Sequence, residues 1–350
     1  MKNLIKTVAA LFIAVAFWQC EDSVTPKERE TSGEWSVAEG TGGGNRQSPK
    51  NRYYNFKVSG NGTVVTINLT ATVDAGFYLF DHLGQQVAYS YTGRDQKTEM
   101  ELKEDDYTVM VFSEQRDAIG SYTLNVDGTS TDLTRISHER LKIDKVSFGA
   151  DGGGGNRKTF RNHFYQFETT EDNAIVDVSL DISGNDGFVT LYNQLGEVAA
   201  YSYTGRSQFV VENLPKGKHT ILVGTDQRDV LNSLYELNVF GKVQNLARVS
   251  SQGLTLKDKW DGAMQNFTLN VTEDNSILDV ALKSPDHNGS FTVHDPVGNQ
   301  IAYSYSGRDQ FTVDAVNKGT YTIKTYPDQG SMKGNYSLIV YGQFSDFKRQ

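Results

Sequence analysis

Apolar and polar residues alternate with a period of two through most of this chain. Tyr54-Asn55-Phe56-Lys57-Val58 is one such stretch, and it returns as Phe164-Tyr165-Gln166-Phe167 and as Phe267-Thr268-Leu269-Asn270-Val271. Alternation of this kind predicts a strand with one buried face. A turn follows each: Ser59-Gly60-Asn61-Gly62, Thr170-Glu171-Asp172-Asn173 and Thr272-Glu273-Asp274-Asn275. These residue types tolerate tight or left-handed backbone. The pattern then resumes in Val65 to Leu69, Ile175 to Leu180 and Ile277 to Leu282, close enough to predict hairpins. Another strand, Phe77 to Phe80, Phe188 to Tyr192 and Phe291 to His294, runs each time into a turn bearing Gly84, Gly196 or Gly298.

The next segment is nearly invariant. Ala88-Tyr89-Ser90-Tyr91-Thr92-Gly93-Arg94-Asp95-Gln96 returns as Ala200 to Gln208 and as Ala302 to Gln310. Similarity at a spacing of about a hundred residues marks one structural unit used three times. Each unit also closes alike, on Gly128 to Arg135, Gly241 to Arg248 and Gly342 to Arg349. The expected organisation is a signal peptide over 1–19, Cys20 and a tether over 20–32, and repeats over 33–135, 136–248 and 249–350. Seven or eight short strands per repeat, with almost no helical periodicity, predict an all-β chain of three tandem antiparallel β-sandwiches.

The first residues do not belong to that pattern. Lys2 and Lys6 precede an unbroken apolar run, Val8 to Trp18, which is too short for a membrane helix and suits a signal-peptide core. Cys20 follows as the single cysteine, so it makes no internal disulfide. A cysteine placed there, followed by Glu21 and Asp22, resembles the lipidation and surface-export signal of Bacteroidota lipoproteins. The competing reading is cleavage after Ala14-Val15-Ala16, which gives a secreted protein with a free Cys20. No later run has the length of a membrane helix, so the expected address is the cell envelope, as an outer-membrane lipoprotein on the cell surface.

Charge narrows the partners. The 350 residues carry 43 Asp and Glu against 34 Lys and Arg, a net charge of −9. An acidic surface is poorly suited to a phosphate backbone, so nucleic acid is not an expected partner.

Several segments together resemble a known family. They are Phe77 to Asp81, Gly84, Val87 to Ser90, Gly319-Thr320-Tyr321-Thr322-Ile323 and Gly334-Asn335-Tyr336-Ser337-Leu338-Ile339-Val340. Their order is similar to that of the bacterial pre-peptidase C-terminal domain, which implies a jelly-roll-like β-sandwich akin to collagen-binding modules. Two departures matter: no peptidase domain accompanies the repeats, and the acidic cluster of the calcium-binding members is replaced by glycine-rich loops, Gly42 to Arg46 and Gly152 to Arg157. Calcium is therefore not carried over, and no cofactor is expected.

The invariant segment is the candidate site. In a strand, Tyr89 and Tyr91 share one face while Ala88 and Ser90 share the other. One reading makes the tyrosines edge packing, Gly93 the turn, and Arg94 the partner of an acid in its own unit. The other makes a binding surface of Tyr89, Tyr91, Arg94 and Gln96, of Tyr201, Tyr203, Arg206 and Gln208, and of Tyr303, Tyr305, Arg308 and Gln310. Aromatic rings, guanidinium forks and amides suit glycan or peptide recognition, and three copies would add avidity. A second repeated cluster, Glu114 to Asp117 and Asp226 to Asp229, reads as a solvated turn or as part of the same surface.

Catalysis lacks a candidate. The six histidines are scattered, and no His-x-x-x-His pair or Gly-x-Ser-x-Gly elbow occurs. His219 falls where the other repeats have Tyr107 and Tyr321, and reads as a strand residue. The expected function is non-enzymatic binding or adhesion to a polysaccharide or an extracellular or envelope protein, with membrane contact only through the N-terminal lipid. The alternatives are a structural or accessory subunit of an envelope complex and a hydrolase with an unrecognised site.

Overall fold

The computed structural model describes residues 29–35, 51–91, 93–114, 119–136, 140–148, 162–184, 186–205, 207–225, 233–249, 254–307, 309–328 and 333–350. The segment expected to be a signal peptide, Cys20, most of the expected tether and both glycine-rich loops lie outside them, as do Gln115 to Asp117 and Asp226 to Asp229. Among the described residues the regular structure is all strand.

The first unit holds β1 (Glu30–Trp35), β2 (Arg52–Val58), β3 (Thr63–Ala71), β4 (Ala75–Phe80), β5 (Gln86–Ser90), β6 (Asp95–Leu102), β7 (Asp105–Ser113), β8 (Gly120–Asp127) and β9 (Thr134–Arg135). The second holds β10 (Leu141–Ser147), β11 (His163–Thr169), β12 (Ala174–Ile182), β13 (Gly187–Tyr192), β14 (Val198–Gly205), β15 (Ser207–Leu214), β16 (Gly217–Thr225), β17 (Leu234–Phe240) and β18 (Val243–Arg248). The third holds β19 (Leu254–Asp261), β20 (Gln265–Val271), β21 (Ser276–Lys283), β22 (Gly289–His294), β23 (Gln300–Gly307), β24 (Asp309–Val316), β25 (Gly319–Pro327), β26 (Lys333–Tyr341) and β27 (Phe344–Arg349). β1 takes in Glu30 to Ser32, which the sequence reading gave to the tether, because all three pair with β8.

Each unit forms the same two antiparallel sheets. In the first they run β1-β8-β3-β6 and β5-β4-β7-β2-β9, and the other two units repeat that order strand for strand. Four strands ordered 1-8-3-6 facing four ordered 5-4-7-2 are the jelly-roll arrangement, and the ninth strand extends one edge. The inward residues are those the alternation marks. Val65, Ile67 and Leu69 of β3 meet Phe77 and Leu79 of β4 and Val109 and Val111 of β7 in one core. Equivalent cores fill the other units. Each is closed by a large ring from the first strand or its end. Trp35 packs on Tyr122, Phe148 on Tyr235 and Trp260 on Tyr336, with centroids 4.6, 4.5 and 4.5 Å apart.

The outer sheet faces differ between units, and the difference explains how they join. The outer face of the first five-stranded sheet carries Tyr53, Phe80, Met110 and Phe112, and Phe240, Ile175 and Val211 of the second unit pack on it. The second five-stranded sheet carries Phe164, Phe188, Tyr192 and Leu222, and Ile277 and Tyr341 of the third unit pack there. In the third unit the matching positions are polar: Asn266 replaces Tyr53 and Phe164, His294 replaces Phe80 and Tyr192, and Lys324 replaces Met110 and Leu222. At the opposite end, Thr66, Glu99 and Asp127 of the first unit stand where the second has Asp177, Val211 and Phe240. Apolar faces therefore meet inside the array and polar faces end it, as repeat architectures require.

Candidate functional site

The invariant segment forms the edge strand of each five-stranded sheet: β5, β14 and β23. The hairpin register sets Tyr89 opposite Tyr78, Tyr201 opposite Thr190 and Tyr303 opposite Thr292. The pleat then turns the tyrosines outward, while Ala88, Ala200 and Ala302 pack against the cores. Tyr89, Tyr201 and Tyr303 are 53%, 57% and 51% exposed, among the most exposed aromatic rings described. Tyr89 stacks on half-buried Tyr91, with centroids 5.2 Å apart and planes 12° apart. Tyr201 and Tyr203 lie 4.4 Å apart, with Tyr203 exposed as well. The reading that buries these rings as edge packing is not what these positions show, apart from Tyr91, which leans on the first junction.

Edge strands with free backbone groups invite strand addition, and natural proteins blunt them. Here each edge carries a one-residue register shift, between Leu79 and Phe80, Leu191 and Tyr192, and Val293 and His294, and the second and third edges carry another at the far end. Bulges interrupt the ladder a partner strand would extend. What these edges present to solvent without interruption is therefore side chains, the tyrosines first among them.

Gln96 is placed differently from a ligand contact. It is buried, and Ser90 Oγ donates to its Oε1 at 2.5 Å. The same pleat that turns Tyr89 outward turns Ser90 inward, so the amide ties the two arms of the turn together. That corrects its assignment to the binding surface. Arg94 is exposed and has no ion pair among the described residues. Its turn is pinned through backbone: Ala71 N–H donates to Arg94 O at 2.7 Å and Ala75 N–H to Gly93 O at 3.0 Å. Gly93 sits at φ 152°, where a Cβ would lie 2.9 Å from the Gln96 amide nitrogen. Arg206 and Arg308 lie outside the described residues, as do the side chains of Gln208, Tyr305 and Gln310.

The alternation drew no attention to the buried polar groups at the junctions. Asp177 of the second unit is fully buried against the first. Tyr53 Oη donates to its Oδ2 at 3.0 Å, Asn51 Nδ2 donates to the same oxygen at 3.3 Å, and Arg140 lies 3.5 Å from Oδ1. Arg140 also sits 5.1 Å from the Phe240 ring centre, and Phe240 stacks on Tyr53 at 4.9 Å. Burial pushes the Asp177 carboxyl up, and Arg140 and the two donors pull it back. Asp279 occupies the same place at the second junction, where Asn162 Nδ2 donates to its Oδ2 at 3.1 Å. Burial holds that carboxyl well above the usual carboxylate range. A strand carrying one Asp between apolar residues on both faces is the signal that could have located these groups.

The described histidines are engaged in the scaffold. His219 is a β16 residue, as the sequence suggests. Its Nε2 donates to Pro215 O at 3.0 Å, in the manner of Tyr107 Oη to Lys103 O and Tyr321 Oη to Asn317 O. His163 Nδ1 and Tyr235 Oη share a hydrogen bond at 2.6 Å, and burial, with Arg248 nearby, lowers the His163 pKa to about 3. No group of three His, Cys, Asp or Glu side chains is placed to hold a metal ion among the described residues.

No family model matches the chain, and no curated protein matches it. Among solved structures, a protein with a triple jelly-roll fold from the turret of an archaeal virus aligns over 90% of this chain and 82% of its own, at 10% identity and a TM-score of 0.18. A rhamnosidase of family GH78 from a Bacillus species aligns over 91% of this chain and 55% of its own, at 10% identity and a TM-score of 0.19. Both superpositions are too loose to transfer a fold or an activity.

Proposed function

We propose that this chain is a cell-envelope lipoprotein whose three units form a non-enzymatic binding array for a polysaccharide, with the tyrosine edges as the contact surface. One observation carries the reading: the same tyrosine stands more than half exposed on the same bulged edge in all three units. An exposed ring keeps apolar surface in water, and a sugar face stacked on it takes that surface out of water. Weak single sites repeated along one chain add by avidity. The family resemblance noted above, to secreted β-sandwich modules, fits the same role.

The test is a pull-down of the soluble form, residues 21–350, with a panel of insoluble polysaccharides and matrix proteins. The Tyr89→Ala, Tyr201→Ala, Tyr303→Ala triple variant runs beside it. Binding by the native chain that the folded variant loses supports the reading. Equal binding by both removes the site from these edges. Binding to a matrix protein alone makes the ligand a protein, and binding to nothing leaves the role of structural subunit.

A further inference from the structure

The two junctions use one design with one difference. Asp177 and Asp279 are aligned, and so are their amide partners Asn51 and Asn162. At the first junction the carboxylate also has Arg140 and the Tyr53 hydroxyl. At the second, the residue aligned with Tyr53 is Phe164 and the residue aligned with Arg140 is Gly253. Neither brings a charge or a hydroxyl.

Asp279 is 1% exposed. Its Oδ2 accepts from Asn162 Nδ2 at 3.1 Å, while its Oδ1 and the Asn162 Oδ1 are both buried with no hydrogen-bond partner. The acid and the amide thus have one hydrogen bond between them and one buried oxygen each without a donor. A proton on Asp279 removes the buried charge and supplies a donor that the pair lacks. Among the described residues no cation is paired with Asp279, and the neighbours that bear on its charge are tyrosines and an acid. Across the junction stands Tyr192, whose hydroxyl is pushed up by burial and by the proximity of Asp279 and Asp314. Tyr341 flanks Asp279 on its own sheet. A buried carboxylate with one neutral donor is expensive, and it escapes either by taking a proton or by meeting water.

We propose that the junction between the second and third units is a proton-operated latch, closed when Asp279 holds a proton shared with Asn162 and loosened when that proton is lost. The first junction, neutralised by Arg140, is the fixed one. The sign follows from linkage. The carboxyl binds its proton more tightly in the closed junction than in water, so closure is fully favoured below the ordinary aspartate range. It weakens by up to about tenfold per pH unit as the pH rises toward the closed-state value.

The test uses the full chain with Cys20→Ala and fluorophores on cysteines at Val198 and Val297, which are 54% and 82% exposed on the second and third units. Energy transfer reads the distribution of distances between those units from pH 5 to pH 8. The native pair is expected to narrow that distribution toward pH 5 and broaden it toward pH 8. Asp279→Asn offers a permanent amide pair and is expected to keep it narrow throughout. Asn162→Ala is expected to broaden it at every pH. With Trp18 and Trp35 replaced by Phe, emission from Trp260, buried against Tyr336, reports whether the third unit is folded in each variant. A native distribution that is the same at pH 5 and pH 8 overturns the latch, and so does a folded Asp279→Asn chain that still responds to pH.

Discussion

Phe240 is the residue on which the first junction turns, and Phe240→Ala separates junction energy from core energy. The ring belongs to the second unit but lies in the apolar cluster of the first. It is 9% exposed, stacks on Tyr53 at 4.9 Å and has the Arg140 guanidinium carbon 5.1 Å from its ring centre. Burial of a Phe side chain is worth about 1.5–3 kcal/mol. Stacking adds roughly 0.5–1.5 kcal/mol. The cation contributes about 0.5–1 kcal/mol more. A loss near 3–4 kcal/mol is expected, within the roughly 3–5 kcal/mol of buried Phe→Ala changes. None of it falls on the core that holds Trp35. The assay is urea unfolding of residues 21–350 carrying Trp260→Phe, so that Trp35 alone reports on the first unit. In a coupled pair the variant lowers the Trp35 midpoint. With an m value of about 1.5–3 kcal/mol/M, the shift is roughly 1–3 M. The slope also falls, because the first unit then unfolds without its neighbour. A Trp35 transition unchanged in midpoint and slope refutes the claim that the units stabilise one another through this ring.

Two further outcomes are expected. Gly93→Ala forces a side chain into a φ of 152° and against the Gln96 amide, at a cost of roughly 1–3 kcal/mol; a thermal melt followed through Trp35 checks it, and an unshifted melting temperature contradicts the steric account of this turn. His163 must stay neutral in the folded second unit, since its pKa is lowered to about 3 against an ordinary value of 6.5. Its contribution is therefore complete above pH 6.5 and fades as the pH falls toward 3. His163→Gln, which copies Gln265 of the third unit where Tyr336 Oη donates to Gln265 Oε1, is expected to flatten the loss of stability between pH 6.5 and pH 4, measured by circular dichroism melts.

Much of the architecture was legible because strand alternation is local. Val65, Ile67 and Leu69 announce a buried face from sequence alone, and the structure places all three in one core. The exposure of Tyr89 was a choice between two faces that the sequence left open, and the pleat at a sheet edge decided it. Gln96 was misassigned because a side chain past a turn can fold back, and nothing in a repeated Gln says that Ser90 waits six residues earlier. Asp177 and Asp279 looked like the polar half of an alternating strand. They are buried because Tyr53 and Phe164, far away in sequence, sit on a face that alternation cannot assign to a partner. Contacts between units depend on two distant strands being apolar on their outer sides at once, a pairing that no single window contains.

The distribution of face chemistry also decides how such a chain can grow or shrink. Only the middle unit is apolar on both outer faces, so it is the piece that can be duplicated in tandem: a fourth unit copied from it would find a matching surface on each side with no new residue invented. The end units cannot be moved inward, since Glu99 and Asp127 at one end or Asn266 and Lys324 at the other would be buried against greasy neighbours. Cutting the chain after the second unit would leave Phe164, Phe188, Tyr192 and Leu222 facing water. The face chemistry thus favours lengthening by insertion of middle units over shortening from the C-terminal side.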